Sequence, residues 1–403
     1  MMPPMPALDV RRARAQTPGC DNVVHFNNAG AALMPEPVLT AVLGHLEREA
    51  AIGGYEAAEE AEERLSAVYD ELAALVGAHR EEIAVVENAT RGWDMAFYGF
   101  SFGPGDRILT ARAEYASNYV AFLQVARRTG AEIEVIGDDE HGRLDVRELR
   151  ERMDERVKLI AITHVPTNGG LINPAAEIGA VAREVGVPYL LDACQSVGQL
   201  PVDVEAIGCD VLSATGRKFL RGPRGTGFLY VRRELLERLE PPFVDLRSAP
   251  WVSRDRYELR ADAGRFENWE SYVAGKLGLG AAAAYAREWG LEAIRDRVES
   301  LAEDLRLRLA SITGLDVHDR GLERCGIVSF TVAGMSCDEI KTALGAGAIN
   351  VSVSPRVQTR IDMEDRALSE VVRASVHYYN TEDEVSRVAG AVSRLAAAAR
   401  GAR

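Results

Sequence analysis

Short apolar segments alternate with amphipathic ones over the first two thirds of the chain. The apolar segments have the length of buried strands and occupy residues 83–87, 107–110, 132–136, 159–163, 189–192, 211–213 and 226–231. Spacings of three and four between apolar residues predict helices at 57–76, 119–129, 146–154 and 175–185. Because strands separated by such helices require right-handed crossovers, the pattern predicts an α/β fold with a mostly parallel, seven-stranded sheet covered on both faces.

The pattern changes near residue 263. Two long helices rich in Ala and Leu are predicted at 273–287 and 291–311, followed by strands at 326–331, 349–353 and 371–375 and a final helix at 382–399. We therefore divide the chain into a mobile N-terminal arm (1–24), a large α/β domain (25–280) and a smaller C-terminal α+β domain (281–403).

Composition excludes several classes of partner. Of the 403 residues, 47% are hydrophobic and 27% charged, as in an ordinary globular protein. The net charge of −14 is spread without a basic stripe, so we expect no nucleic-acid partner. No apolar run reaches the roughly 18 residues of a membrane span. Five cysteines without a C-x-x-C pair indicate reduced thiols of a cytoplasmic protein, and the seven histidines are not spaced as metal ligands.

One lysine lies where α/β proteins bind their ligands. Lys218 stands between the strand at 211–213 and the glycine-rich segment 222–227, so it is held near the carboxyl edge of the sheet. Taken alone, it is better explained by a solvated surface position. Upstream, the apolar strand at 189–192 ends in Asp192, a carboxylate of the kind that a pyridinium nitrogen needs as its partner. The alternative for Asp192 is a helix N-cap.

Together these two segments resemble the class V aminotransferase and cysteine desulfurase group of the fold-type I pyridoxal 5'-phosphate (PLP) enzymes, over about residues 26–385. The resemblance implies PLP as the cofactor, with Lys218 forming the Schiff base. Asp192 and Gln195 match the cofactor aspartate and the glutamine that follows it in the group. Thr215 and Arg217 would hold the phosphate, where a hydroxyl and a cation suit a dianion.

The same resemblance implies further cofactor contacts. Ala89 and Thr90, where a strand gives way to a helix, match a turn that offers amide and hydroxyl groups to the phosphate; the alternative for Thr90 is an ordinary N-cap. Tyr115 stands where the group often has a histidine stacked on the ring. The contact to the phenolic oxygen falls on Thr167 or its neighbour Asn168. Ser271 lies in the region that reaches the partner's phosphate, which implies a homodimer with active sites at the interface.

Two segments resemble the substrate contacts of the group. Asn28, Ala29 and Gly30 match a loop that borders the substrate, where small residues allow close approach. Arg373 matches the arginine that clamps the α-carboxylate of an amino-acid substrate through two parallel hydrogen bonds; the alternative is a buried structural ion pair. Further candidates for the pocket wall, on family position alone, are Tyr55, Trp251, Arg356 and Arg360.

The chain departs from the cysteine desulfurases at one point. These enzymes have a nucleophilic cysteine on a loop shortly before the carboxylate-binding arginine, and the corresponding segment 350–360 contains none. Without that thiolate no persulfide forms there. We therefore expect chemistry at Cα of an amino acid with Lys218 as the base, and β-elimination from an S-substituted cysteine (a C–S lyase) is the leading hypothesis. The alternatives are transamination with a 2-oxo acid, epimerisation, and a catalytically silent PLP-fold binding protein.

Overall fold

A computed structural model describes residues 8–401 of the chain. In this range the helices, α1 to α15 in order, are Val10–Ala15, Glu36–Ile52, Gly54–Glu60, Glu62–Val76, Ala89–Phe97, Ala116–Thr129, Val146–Glu151, Ala175–Val185, Val204–Ile207, Arg233–Leu236, Val273–Trp289, Leu291–Ala310, Cys337–Ala346, Arg360–Asp365 and Glu382–Gly401. The strands, β1 to β15, are Val24–His25, Ile83–Val86, Arg107–Ala111, Glu132–Ile136, Val157–Thr163, Tyr189–Asp192, Val211–Thr215, Gly227–Val231, Trp251–Ser253, Arg256–Tyr257, Leu315–Val317, Ile327–Val332, Ile349–Asn350, Ser352–Pro355 and Glu370–Ser375.

The large sheet has seven strands in the order β2-β8-β7-β6-β5-β3-β4. Neighbours from β7 to β4 pair in parallel, and β8 runs antiparallel to both β7 and β2. Every residue of β3, β6, β7 and β8 is buried, as expected for a sheet covered on both faces. The predicted α/β fold with a mostly parallel seven-stranded sheet is confirmed.

The prediction of one continuous helix at 57–76 is wrong. The segment forms two helices, α3 and α4, which are separated at Ala61, where ψ is 6° and the backbone leaves the helical region. The apolar face of α4 is as the pattern predicted, because Val68, Leu72 and Val76 are buried. Both α4 and the unanticipated α2 pack against α11.

The C-terminal part contains a four-stranded antiparallel sheet in the order β11-β12-β15-β14. The strand predicted at 349–353 is divided, because β13 pairs with β1 whereas β14 pairs with β15. The domain boundary at residue 280 stays a prediction. Residue 280 lies inside α11, which packs on α2 and α4 of the N-terminal part.

The described part of the N-terminal arm is packed, so the mobility that we expected does not extend to it. Ala13 and Thr17 are fully buried. Arg14 donates hydrogen bonds to Glu384 at 2.9 Å and to the carbonyl of Tyr379 at 3.1 Å, which fastens α1 to the C-terminal part. Residues 1–7 lie outside the described range. None of the helices between residues 8 and 401 has the length and apolarity needed to cross a bilayer.

Candidate active site

The carboxyl ends of the parallel strands border a cavity of about 300 Å³. Thr163 ends β5, Asp192 ends β6 and Thr215 ends β7, while the first residues of α5 form another part of the wall. The predicted cofactor residues that line this cavity are Ala89, Thr90, Tyr115, Thr167, Asp192, Gln195, Thr215, Arg217 and Lys218.

Lys218 is presented to the cavity by a tight loop after β7. Its carbonyl accepts a hydrogen bond from the backbone N–H of Arg221 at 2.9 Å, and Arg221 has a left-handed φ of 63°. The Arg221 guanidinium is buried and donates to Leu33, Thr17 and Tyr378, which holds this unfavourable conformation. The Lys218 amine has no hydrogen bond or ion pair within residues 8–401. Burial lowers its pKa, and the charges of Arg217 and Arg373 lower it further against the opposing effect of Asp192.

Asp192 is buried at the end of β6 and both of its carboxylate oxygens are oriented by neutral donors. Oδ1 accepts from the backbone N–H of Cys194 at 2.9 Å, and Oδ2 accepts from the side-chain amide of Asn118 at 2.9 Å. The N-cap alternative is wrong, because the next helix, α9, begins only at Val204. The carboxylate is thus held in a fixed orientation at the cavity wall.

The part of the cavity wall formed by the start of α5, Thr215 and Arg217 suits a phosphate. The N–H groups of the first turn of α5 have no acceptor inside the helix, and the positive end of its dipole points the same way. The hydroxyl of Ser213 donates to the carbonyl of Ala89 at 2.7 Å and fixes this turn to β7. Arg217 adds a cation and donates to the Thr215 hydroxyl at 3.1 Å. A helix terminus, a hydroxyl and a guanidinium together form an anion cradle.

These residues fit PLP. An amine, an anion cradle and a buried carboxylate surround one cavity, as the aldehyde, phosphate and ring nitrogen of PLP require. The amide oxygen of Gln195 is buried without a hydrogen-bond partner in the described part of the chain, whereas its nitrogen donates to the carbonyl of Ala29 at 3.1 Å. An unpaired polar atom in a cavity wall indicates that a polar ligand belongs there.

Arg373 lies in β15 beside the cavity and is buried. Its Nε donates to the Ser352 hydroxyl at 3.1 Å, and its Nη1 donates to the carbonyl and hydroxyl of Thr167 at 2.9 and 2.6 Å. The structural ion-pair alternative is wrong, because no carboxylate of residues 8–401 pairs with this guanidinium. Burial, assisted by the charge of Arg217, lowers its pKa to about 10. Among residues 8–401 only Nη2 of Arg373 has no hydrogen-bond partner. The guanidinium therefore has one free nitrogen for a carboxylate, whereas the two parallel hydrogen bonds that we expected require two.

Several predicted residues lie outside the cavity. Asn168 is not part of the cavity wall and donates to Asp362 at 2.7 Å, and Ser271 is exposed. Asn28 donates to the carbonyl of Ser375 at 2.7 Å, so the 28–30 loop, which includes Gly30, braces β15 and Gln195 and is not part of the cavity wall. The four further candidates for the pocket wall also lie outside the cavity. Tyr55 and Trp251 are exposed, Arg356 donates to the carbonyl of Leu368, and Arg360 pairs with Glu364.

Sequence analysis missed several polar residues of the site, among them a group close to Asp192. Asn118 and Cys194 line the cavity, and the buried Glu114 lies behind Asn118. No periodic signal pointed to Glu114, because it precedes Tyr115, the N-cap residue of α6, and so lies outside the helix. The Cys194 thiol is held protonated, since burial and the charge of Asp192 raise its pKa well above the usual value.

The fold and site define a PLP-dependent enzyme. Residues 24–388 match the family model of class-V aminotransferases, and the chain therefore belongs to that family. It is 30% identical over 395 residues to a probable cysteine desulfurase of Methanothermobacter thermautotrophicus, which covers 96% of this chain and 98% of that protein.

Two solved structures have the same fold. The apo cysteine desulfurase of Thermococcus onnurineus superposes with a TM-score of 0.89 at 27% identity, covering 98% of this chain and all of that one. The cystine C-S lyase C-DES, in complex with its product cysteine persulfide, superposes with a TM-score of 0.85 at 24% identity, covering 94% of this chain and 99% of that one. At that identity the second likeness concerns the fold alone.

Proposed function

We propose that the protein catalyses β-elimination from an S-substituted cysteine. In net terms the substrate and one water molecule give a thiol, pyruvate and ammonium. The observation that carries the proposal is that Lys218 and Asp192 line one cavity while the buried Arg373 contacts Thr167 of its wall, without a reactive thiolate among the described residues. Relatives named cysteine desulfurase support a cysteine-type substrate.

Each residue has a distinct task. Bound PLP supplies an electron sink for the negative charge that develops at Cα. Lys218 would hold PLP and, once freed by the substrate amine, remove the Cα proton; its lowered pKa leaves more of the unprotonated base near neutral pH. Arg373 orients the α-carboxylate. Thr215, Arg217 and the start of α5 hold the phosphate, and Asp192 keeps the ring nitrogen protonated.

The cysteines argue against a desulfurase. Segment 350–360 contains no cysteine and is largely ordered as β13, β14 and a short 3-10 helix. Cys20, Cys209, Cys325 and Cys337 are buried, and burial raises the pKa of each thiol. Cys194 lies at the cavity, but its raised pKa keeps the thiol protonated and therefore weakly nucleophilic.

Product analysis with a single substrate tests the proposal. The PLP-loaded enzyme is incubated with S-sulfocysteine, cystine and cysteine, without a 2-oxo acid, and the products are identified by mass. We expect pyruvate and ammonium in equal amounts. Alanine with a sulfur adduct on the protein would mean desulfuration, and turnover only after addition of a 2-oxo acid would mean transamination; either result defeats the proposal.

We also propose that the enzyme works as a homodimer. Exposed apolar side chains are concentrated between residues 243 and 269, where Phe243, Leu246, Trp251 and Trp269 are each at least 61% exposed. Large exposed apolar side chains in such number are typical of an interface. Ser271 follows this segment in the sequence and lies outside the cavity of its own chain, as expected of a residue that completes the partner's site. Light scattering should give twice the 43.9 kDa chain mass; a stable, active monomer would contradict the proposal.

A further inference from the structure

Glu114 is a buried carboxyl group one layer behind the cavity. It follows β3 and directly precedes Tyr115, the N-cap residue of α6, and only 3% of it is exposed. Its Oε1 accepts hydrogen bonds from the backbone N–H of Tyr115 at 3.0 Å, from the Asn118 amide at 2.8 Å and from the Thr163 hydroxyl. Its Oε2 accepts from the Thr110 hydroxyl at 3.1 Å and from the Thr163 N–H at 2.9 Å. None of the five donors is a cation.

The Asn118 amide connects this group to Asp192. One N–H donates to Glu114 at 2.8 Å and the other to Asp192 at 2.9 Å. Because both carboxylates accept hydrogen bonds, only the nitrogen of the amide can face them, and Glu114 thereby fixes the direction of the Asn118 side chain. Two acidic groups thus share one neutral bridge, and the second is the group assigned to the ring nitrogen.

We propose that Glu114 is a positioning residue that, through Asn118, orients Asp192 and strengthens its hold on the protonated ring nitrogen of PLP. This inference rests on the proposed role of Asp192. Because Asn118 donates a fixed N–H to Oδ2, the Asp192 carboxylate can adopt only one orientation towards the cavity.

The surroundings of Glu114 support a function beyond packing. Burial raises its pKa to about 7, with Asp192 adding to the rise and the hydrogen bonds from Thr163, Asn118 and Tyr115 opposing it. A buried acid without a counter-ion is costly to the fold. The backbone N–H of Tyr115 also donates to Glu114, so the same carboxyl group contacts the residue that we predicted to stack on the cofactor ring.

Two measurements of how the protein holds PLP test the inference, and neither depends on turnover. The first is the dissociation constant of PLP, measured by titration of the apo protein. The second is the nitrogen-15 chemical shift of PLP labelled at the ring nitrogen, which reports whether that nitrogen is protonated. Glu114→Gln keeps the size of the side chain and removes its charge. We expect PLP to bind about tenfold more weakly, which corresponds to loss of one charge-assisted hydrogen bond, and the ring nitrogen to move towards its unprotonated shift.

A double-mutant cycle separates the bridge from general packing. If Glu114 acts through Asn118, then Glu114→Gln combined with Asn118→Ala binds PLP no more weakly than Asn118→Ala alone. Additive losses, or an unchanged nitrogen-15 shift in Glu114→Gln, would overturn the inference. Should Glu114→Gln not fold, Asn118→Ala leaves four of the five donors in place and must show the same change in shift; an unchanged shift there also overturns it.

Two controls distinguish the possible failures. Glu82 is a buried glutamate that accepts two backbone N–H bonds at 3.0 Å, next to β2 and outside the cavity wall. Glu82→Gln should leave both readouts unchanged, and a change would overturn the inference by showing that any buried glutamate has this effect. Asp192→Asn should give the largest change in shift. If Asp192→Asn leaves the nitrogen-15 shift unchanged, the proposal that Asp192 is the partner of the ring nitrogen is wrong. If Asp192→Asn changes the shift and Glu114→Gln does not, only the proposed role of Glu114 is wrong.

Discussion

Replacement of Arg373 by leucine tests how the substrate is held. In the free protein Nε and Nη1 are occupied by Ser352 and Thr167, and Nη2 is left to donate to a substrate carboxylate. A hydrogen bond between charged groups contributes roughly 1.5–3 kcal/mol. Loss of one or two such bonds weakens amino-acid binding by about 3 kcal/mol, or on the order of 100-fold. Leucine strands no buried partner charge, so we expect the fold to be retained.

The assay compares an amino acid with the amine that lacks its carboxylate, such as cysteine and cysteamine. The parent enzyme should prefer the amino acid, and Arg373→Leu should lose that preference while binding the amine as before. The matched control is Arg306, a buried arginine of α12 whose Nε donates to Asp319 at 2.7 Å. Arg306→Lys retains the charge next to Asp319 and should leave the preference intact. If Arg373→Leu still discriminates as the parent does, another group binds the carboxylate and our assignment is wrong.

Three further predictions concern the lysine, a histidine and a glycine. Lys218→Ala should abolish turnover without a change in the far-ultraviolet circular dichroism, and undiminished activity would refute its role. Burial lowers the pKa of His164 to about 4, so its contribution to stability is present above pH 6.5 and is lost as the pH falls through 4. Urea unfolding of the parent should therefore lose up to about 3 kcal/mol more between pH 6.5 and 4 than His164→Gln does, and equal losses would contradict this. Gly198 has a φ of 94°, and a Cβ there would lie 2.4 Å from the backbone of Phe219, so Gly198→Ala should displace the lysine loop and weaken PLP binding. Gly44→Ala in α2, with no atom within 4 Å of the added Cβ, should leave PLP binding unchanged, and an equal effect of both would show that the loop is not the cause.

The sequence pattern was sufficient to predict the large sheet and to place Asp192 and Lys218 at its edge. The seven strands were predicted because each is a short apolar run with flanking turns, a local property. The motifs around Asp192 and Lys218 placed both at the carboxyl ends of strands, where parallel neighbours bring them to one cavity. Helix boundaries were less predictable: the break at Ala61 leaves the apolar spacing nearly intact, so periodicity alone did not reveal it.

The sequence by itself determined which strands form the sheet and which amine and carboxylate lie at its edge, because those features depend on neighbouring residues. Only the tertiary structure decided which hydrogen-bond partners the polar side chains find. Asn168 is paired with Asp362, 194 positions away, and Arg373 with Thr167, 206 positions away. The bridge from Glu114 to Asp192 likewise depends on the fold, which brings Asn118 of α6 to Asp192, 74 positions away. A side chain of this kind has many partners of suitable chemistry along the chain, and the packing of the folded backbone selects among them.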